Sequence, residues 1–317
     1  MRRSASPLSL ILLGAGVFLL VLGQLFAWYV EPRAKRTPTD TVSTTVFEGK
    51  GSYFDTGSVA TLQDQQLTIT RRVVGDVAGS ERSGNAVWDV STQIDTPTSL
   101  PLADPRKSLQ WTTERWVTDR RTNLPVHCCE EKPRFEGEAY LKFPFDVEKR
   151  GYTWWDSSLG ATVPLEFDRV VKVDGHEGYR FVGSVKATAT GTRLVPGVLV
   201  GSSNPGQVAA EEWYSNTRIE LTADPRTGRI INAALAPTKT LRAPGSQTDA
   251  VTLLSSERLE FSEETRREQV KLAGEGSGQL ELLGETVPLA GGIAGGVLIV
   301  AGVVLLVRGR RPGHSAG

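Results

Sequence analysis

Residues 8–30, LSLILLGAGVFLLVLGQLFAWYV, and residues 288–307, PLAGGIAGGVLIVAGVVLLV, decide the architecture of this chain, and neither carries a charged residue. An α-helix rises about 1.5 Å per residue, so the first stretch would extend about 34 Å and cross a hydrocarbon core of about 30 Å. Trp28 and Tyr29 end that stretch, where amphipathic rings favour the headgroup region. The sequence therefore predicts two transmembrane helices, over residues 8–30 and 287–307.

A cleaved signal peptide is the alternative interpretation of the first stretch. Its apolar core is longer than the usual h-region of a signal peptide. Residues 24–36 also contain no convincing small-x-small cleavage site. These features favour an uncleaved membrane anchor.

Basic residues set the orientation of the two spans. An arginine-rich tail, residues 308–317, follows the second span, and basic residues near a span favour the cytoplasmic side. The first span has basic residues on both flanks, so its charges do not indicate the orientation of the chain in the membrane. Because two spans return the chain to the same side, we predict a cytoplasmic N-terminus, residues 1–7, and an extracytoplasmic domain over residues 31–286.

The glycines of the second span form two overlapping small-xxx-small pairs, Gly291 with Gly295 and Gly292 with Gly296. Such spacing lets helix backbones approach closely, within one chain or between two. Three glycines of the first span are candidates to face them: Gly14, Gly16 and Gly23. Glycine is also common in membrane helices, so specific packing and simple abundance both remain open.

Composition excludes several functional classes. The 36 Lys and Arg residues balance the 36 Asp and Glu residues, so net charge gives no reason to expect nucleic acid. Two cysteines cannot build a four-cysteine zinc site, and three histidines leave little material for histidine-based catalysis. We predict no metal, no cofactor and no nucleic-acid partner.

The region between the spans has the pattern of a mainly β (α+β) domain. Residues 66–74, 108–117 and 178–188 mix β-branched and aromatic residues with polar ones, partly with period two. Residues 218–222 and 229–235 flank the turn-rich sequence DPRTG, which predicts a β-hairpin. We therefore expect an antiparallel, β-rich extracytoplasmic domain flanked by N- and C-terminal transmembrane helices.

One helix is predicted late in the domain, over residues 262–273. Ser262 suits the N-cap, acidic residues follow in the first turn, and Gly274 stands just past the end. Residues 274–278, GEGSG, are then expected to be a flexible linker into the second span. Residues 37–45 are expected to separate the first span from the domain.

The tripeptide His127-Cys128-Cys129 is unusual, because the chain has no other cysteine. A vicinal disulfide needs a distorted turn, since adjacent Cα atoms lie closer than the usual disulfide range. An oxidising extracytoplasmic space favours such oxidation. A vicinal structural disulfide is the first interpretation, and reduced or intermolecular thiols are the second. Redox or metal chemistry is the third interpretation. It ranks last because neighbouring side chains of an extended chain point to opposite faces, which does not suit binding of one metal ion by both.

Sequence motifs of hydrolases are absent: there is no G-x-S-x-G, H-E-x-x-H or C-x-x-C. Paired carboxylates could still meet from distant strands, and Asp156 with Glu166 is one such combination. Nothing in the sequence brings them together. We predict a protein without catalytic residues.

Six aromatic residues crowd the stretch 140–155, YLKFPFDVEKRGYTWW. Core packing beneath a strand–turn–strand is the simpler interpretation. The alternative is a groove for an apolar or carbohydrate-bearing envelope molecule. The residues that would line it are Phe143, Phe145, Tyr152, Trp154 and Trp155.

The same region carries a family resemblance. It resembles an actinobacterial family whose members are labelled as a domain of unknown function or as the porin PorA family. Four stretches and the two-span layout carry it: residues 127–129, 143–156, 175–181 and 213–228. The resemblance covers nearly the whole chain and brings no catalytic residues with it. Where that family is expected to have a Val-Glu-Pro-like triplet, this chain has Ala-Asp-Pro at residues 223–225.

The family label implies a pore, whereas outer-membrane porins are closed barrels of amphipathic strands without long apolar helices. Two apolar helices per chain would enclose a channel only if several chains assembled, and both spans lack polar lining residues. We therefore expect a non-enzymatic plasma-membrane protein whose ectodomain binds an envelope lipid, a glycolipid or a partner protein. An oligomeric channel is the first alternative, and an envelope enzyme is the second.

Overall fold

The computed structural model of the chain describes residues 7–102, 104–204 and 206–310. The predicted cytoplasmic ends therefore lie almost wholly outside the described residues, at 1–6 and 311–317. The chain forms two compact units, one made of its two terminal segments and one made of the sequence between them.

Five α-helices form in the described part of the chain: two near the N-terminus, one between strands of the sheet and two towards the C-terminus. In chain order they are α1 (Pro7–Leu25), α2 (Glu31–Ala34), α3 (Val77–Ser83), α4 (Glu263–Glu281) and α5 (Val287–Arg310). Two π-type turns, residues 26–30 and 282–286, follow α1 and α4. The helical stretches 7–34 and 263–308 are each long and apolar enough to span a membrane. The two predicted terminal apolar helices are confirmed.

The helix before the second span begins as predicted but ends later. Ser262 Oγ accepts a hydrogen bond of 3.2 Å from the Thr265 N–H, which is the expected N-cap contact. The predicted linker, residues 274–278, is wrong because it lies inside α4. Ala273, Ser277 and Leu280 form a buried stripe on this helix. Burial of that stripe offsets the cost of about 1 kcal/mol for each helical glycine.

The unit between the terminal segments contains one sheet of eleven strands. The strands are β1 (Val42–Asp55), β2 (Ala60–Gly75), β3 (Ala86–Asp95), β4 (Gln110–Thr118), β5 (Tyr152–Asp156), β6 (Ala161–Val173), β7 (His176–Pro196), β8 (Gln207–Ala223), β9 (Ile230–Arg242), β10 (Val251–Ser255) and β11 (Leu259–Phe261). Their order is β4-β3-β2-β1-β10-β9-β8-β7-β6-β5, and β11 pairs with β1 and β9. The strand pairs among the described residues are antiparallel, which confirms the predicted fold class.

Turn chemistry explains two of the hairpins. Asp174 and Gly175 connect β6 to β7 with φ values of +47° and +87°, as a two-residue type I′ turn requires. The predicted DPRTG hairpin is confirmed between β8 and β9. In that turn the Gly228 N–H donates to the Asp224 carbonyl at 3.0 Å, and Gly228 has a φ of +70°.

The sheet curls until its two edge strands approach each other. The irregular segment between β4 and β5, residues 119–151, touches both edges. Lys132 exchanges backbone hydrogen bonds of 2.7 and 2.9 Å with Arg115 on β4, and the Ala139 carbonyl accepts one of 3.1 Å from Trp155 on β5. The seven residue steps from 132 to 139 span at most about 25 Å. A flat sheet with nine gaps between its strands would measure about 43 Å, so the sheet must form a nearly closed shell.

A continuous apolar core fills this shell. It takes side chains from ten of the eleven strands, β4 excepted, and from the irregular segment. Its most deeply buried large side chains are no more than 1 % exposed: Leu67, Phe143, Leu165, Phe181, Ile219 and Leu259. Side chains of this size occupy the centre of a small closed sheet. A second cluster contains Trp88, Trp116, Phe135, Tyr140 and Trp155.

Candidate functional site

The five aromatic residues considered for binding are divided between two cores. Phe143, Tyr152 and Trp154 lie in the main core with exposures of 0 %, 4 % and 7 %. Trp155 lies in the second cluster, because successive residues of a strand point to opposite faces. Phe145 is half-buried beneath a lysine ammonium. Four of the five are therefore core residues, and their role in binding stays a prediction.

Two of the sequence markers meet in space, residues 143–147 and the turn 224–228. Three backbone hydrogen bonds of 2.7 to 3.0 Å join them. Gly228 is required at this contact, because a Cβ there would lie 2.2 Å from two carbonyl oxygens of the opposite segment. The contact places Lys142 and Arg229 opposite each other in an isolated antiparallel bridge.

Five polar side chains gather beside this contact and are called the polar cluster here: Lys142, His176, Asp224, Arg229 and Gln269. Asp224 is buried, with 2 % exposure. One of its carboxylate oxygens lies 2.8 Å from His176 Nε2. The other accepts hydrogen bonds from the backbone N–H and the hydroxyl of Thr227, at 2.7 and 2.5 Å. Both oxygens of the one carboxylate in the cluster are thus engaged.

The two cations of the polar cluster have no carboxylate within 4.0 Å in the described part of the chain. Lys142 Nζ lies 3.5 Å from the centre of the Phe145 ring. Burial, and then the charge of Arg229, lower the pKa of Lys142 to about 7, while Asp224 opposes that change. Burial also lowers the pKa of Arg229, while the charges of Asp224 and Glu268 oppose that change. The cluster therefore concentrates positive charge in a partly desolvated place.

Gln269 brings α4 to the polar cluster. Its Oε1 accepts a hydrogen bond of 2.9 Å from an Arg229 guanidinium N–H. Its Nε2 is buried without a partner among the described residues. An ion pair of 3.1 Å between Arg266 and Asp174, together with packing of Ala273 against Val173, fixes this part of the helix. The amide is therefore held in place and keeps an unused donor.

A second half-buried lysine lies elsewhere in the domain and has a partner. Lys239 Nζ donates to Gln110 Oε1 at 2.8 Å, and burial lowers the pKa of Lys239. Its neighbour Tyr214 donates to an Asp156 carboxylate oxygen at 2.8 Å. This arrangement offers a comparison for Lys142, which has no such partner.

The cysteine pair is joined as a vicinal disulfide between Cys128 and Cys129. Cys129 has a φ of +60°, so the turn is distorted there. Arg115 on β4 donates to the Cys129 carbonyl at 3.0 Å, and His127 Nδ1 lies 2.7 Å from Glu131 Oε1. These contacts hold the tripeptide against β4.

The two carboxylates considered as a catalytic pair do not meet. Asp156 is buried beside Tyr214, whereas Glu166 is exposed. Asp156 lies opposite Ala161 in the β5–β6 pairing. Glu166 is five residues further along β6, a distance of about 17 Å in a strand. Within the described residues no group of three or more His, Cys, Asp or Glu could hold a metal ion.

One glycine pair of the second span lies where α5 meets α1. A Cβ at Gly291 would lie 3.0 Å from the Leu19 carbonyl oxygen, and one at Gly295 would lie 2.7 Å from that of Gly16. Gly23 of α1 is equally close to α5. These four glycines let the two helix backbones approach closely.

The other glycine pair faces away from α1. A Cβ at Gly292 or Gly296 would meet nothing within 4 Å, and the same holds for Gly14. A shallow apolar groove runs along this face of α5, lined by Gly292, Ile293, Gly296, Val297, Val300 and Ala301. The overlapping pairs therefore serve two different faces of one helix.

The polar cluster was missed by sequence reasoning. Lys142 and Arg229 are 87 residues apart, and Gln269 is 40 residues beyond Arg229, so no local spacing links them. The only local signal was a lysine directly before the Phe-Pro-Phe sequence of residues 143–145.

Comparison with known proteins gave one family. A family model described as Porin PorA matches residues 8–304. The match covers all eleven strands of the described sheet and most of both terminal apolar helices. A search of curated proteins found no match.

Proposed function

The chain belongs to the Porin PorA family, and from this premise we propose that it is a non-enzymatic plasma-membrane protein whose ectodomain binds a component of the cell envelope. Its two terminal helices are long and apolar enough to serve as anchors. The arginine-rich tail after the second span favours cytoplasmic termini and an extracytoplasmic β-rich domain. The family resemblance supports an actinobacterial envelope as the setting.

The filled interior of the β-rich domain is the observation that supports binding over conduction through that domain. Phe143 and Phe181 stack at its centre with ring centroids 4.7 Å apart, and both are fully buried. A barrel that conducts water or ions has a polar, water-filled interior. A filled domain acts through its surface, as a binding module does.

Retention of envelope material by the purified protein tests this function. The full-length chain in phosphatidylcholine nanodiscs is incubated with a total envelope extract, and bound lipids and proteins are quantified by mass spectrometry. The matched control is the same chain without residues 37–274, which keeps the spans and their annular lipid. We expect one lipid, glycolipid or protein to be retained near stoichiometrically by the full-length chain alone. Equal retention by both proteins, or by neither, would contradict the proposal.

An oligomeric channel is the second candidate function, and the outward groove of α5 favours it. Gly292 and Gly296 leave room for the backbone of a helix from a second copy. Gly296→Leu would fill that groove, whereas Gly14→Leu changes an equally open glycine on the other span. If copies assemble at this groove, light scattering will show that Gly296→Leu lowers the oligomer mass and that Gly14→Leu does not. Planar bilayers will then show that Gly296→Leu loses the conductance of the wild type. A monomeric wild-type protein without conductance would exclude the channel.

A further inference from the structure

We propose that Lys142, Arg229 and Gln269 form a binding site for a phosphate-like oxyanion. The inference deepens the proposed function, on which it rests, by assigning a chemical class to the envelope component. A phosphate monoester or diester carries negative charge and several acceptor oxygens, which match the cations and the N–H donors of these three side chains.

The close approach of two cations without a direct ion pair is the first reason for an anion. Lys142 and Arg229 face each other across an antiparallel bridge, and no carboxylate of the described chain lies within 4.0 Å of either. The nearby Asp224 directs its oxygens to His176 and Thr227. Two neighbouring cations in a desolvated place are unfavourable unless an anion compensates them.

Unused donors are the second reason. Gln269 is 4 % exposed, and its Nε2 is without a partner among the described residues. The Arg229 guanidinium has five N–H donors, of which one bonds Gln269 Oε1. The Lys142 ammonium has three donors and lies over the Phe145 ring. Hydrogen bonds between ionised partners are about twice as strong as neutral ones, so an oxyanion is the ligand these donors favour.

The backbone segments that carry these donors are held in place, and two of the three donors are partly exposed, whereas Gln269 Nε2 is buried. The backbone bridge fixes Lys142 beside Arg229, and the contacts of α4 fix Gln269. Lys142 and Arg229 are partly exposed, so a ligand can reach them from solvent. Binding to fixed donors costs less conformational entropy than binding to mobile ones.

Direct titration of the full-length protein tests the site. Inorganic phosphate is added to the protein in phosphatidylcholine nanodiscs and followed by calorimetry, with sodium chloride of equal ionic strength as the reference. We expect Lys142→Met to weaken phosphate binding at least about tenfold, a difference of about 1.4 kcal/mol. Lys239→Met, which removes a half-buried lysine that already has a neutral partner, should bind phosphate as the wild type does.

Stability without ligand separates loss of binding from loss of folding. Because Lys142→Met removes a partly desolvated charge beside the Arg229 guanidinium, the variant should unfold at the same temperature as the wild type or higher. A second variant, Arg229→Lys, keeps the charge but loses the planar fork, and it should bind phosphate with intermediate affinity.

Two arms distinguish a lipid headgroup from free phosphate. The nanodiscs contain either phosphatidylcholine alone or phosphatidylcholine with phosphatidic acid. Stabilisation by phosphatidic acid that depends on Lys142 assigns the site to a lipid headgroup, and stabilisation by inorganic phosphate alone assigns it to a soluble phosphate. Either result supports the site.

The proposal is overturned if neither probe binds the wild type, or if Lys142→Met binds both as tightly as the wild type does. Envelope material retained by a wild-type protein that binds neither phosphate probe would exclude the anion site and leave the proposed function intact. Phosphate binding that depends on Lys142, without retention of envelope material, would reject the proposed function and keep the site.

Discussion

Replacing Lys142 by Met should make the stability of the protein less dependent on pH above neutrality. Burial and the neighbouring Arg229 lower the pKa of Lys142 in the folded protein from 10.5 to about 7. Below pH 7 this lysine is protonated in both the folded and the unfolded chain, so its contribution does not change with pH. Between these two pKa values the unfolded chain keeps a proton that the folded chain has released. The wild-type protein therefore becomes more stable as pH rises through this window.

The size of the effect follows from that difference in bound protons. One proton gives a slope of at most about 1.4 kcal/mol per pH unit, or about 2 to 3 kcal/mol between pH 7 and pH 9. The Lys142 side chain is partly exposed, and solvent screening reduces this to about 1 to 2 kcal/mol. For a domain of this size, 1 kcal/mol corresponds to about 2 to 4 °C in Tm. We expect the wild type to gain about 4 °C over the variant in that interval.

Thermal unfolding of wild type and Lys142→Met in identical nanodiscs, at several pH values across this window, measures the difference. The two charged groups that act on the lysine, Arg229 and Asp224, and His176 beside Asp224 are present in both proteins and cancel in the comparison. Lys239→Met serves as the second variant, because it leaves the polar cluster unchanged. Parallel pH curves for wild type and Lys142→Met would refute the reasoning, since they would mean that the ammonium is as well solvated in the folded chain as in the unfolded one.

Three further predictions concern the scaffold. Phe143→Ala should cost about 3 to 5 kcal/mol, because the ring is fully buried. Phe143→Leu should cost clearly less, and denaturant titration compares the two; equal costs would contradict a close-packed core. Gly228→Ala should destabilise more than Gly245→Ala, because both have positive φ but only position 228 would bring a Cβ within 2.2 Å of carbonyl oxygens. Equal unfolding midpoints would show that the turn relaxes freely. Replacing Cys128 and Cys129 together by Ser should change the unfolding free energy by less than about 1 kcal/mol, because the disulfide closes almost no loop. A large loss would give it a structural role beyond chain entropy.

The elements that the sequence predicts well are those with local signals. The charge-free stretches 8–30 and 288–307 specify helices by composition alone, and the hairpin at residues 224–228 follows from its turn residues. The linker prediction at residues 274–278 failed because burial of one helix face outweighs the weak helix propensity of glycine. Local propensity cannot report such packing.

Trp154 and Trp155 show how far the candidate site could be predicted. Two large aromatic residues in succession on a strand must point to opposite faces, so both faces of β5 had to be covered. The structure covers one with the main core and the other with the second cluster. The polar cluster could not be found this way, because docking of residues 143–147 on a distant turn brings its members together.

The position of β1 in the middle of the sheet has a consequence for synthesis. Tyr53 pairs with Leu254, which the ribosome adds 201 residues later. At about 5 to 20 residues per second, β1 and β2 wait about 10 to 40 seconds before β10 and β11 exist to pair with β1. During that interval one side of β1 is an open strand edge, which is a template for pairing with other chains. A chain that stops before residue 251 lacks β10 and β11, so this edge of β1 stays unpaired within its own sheet.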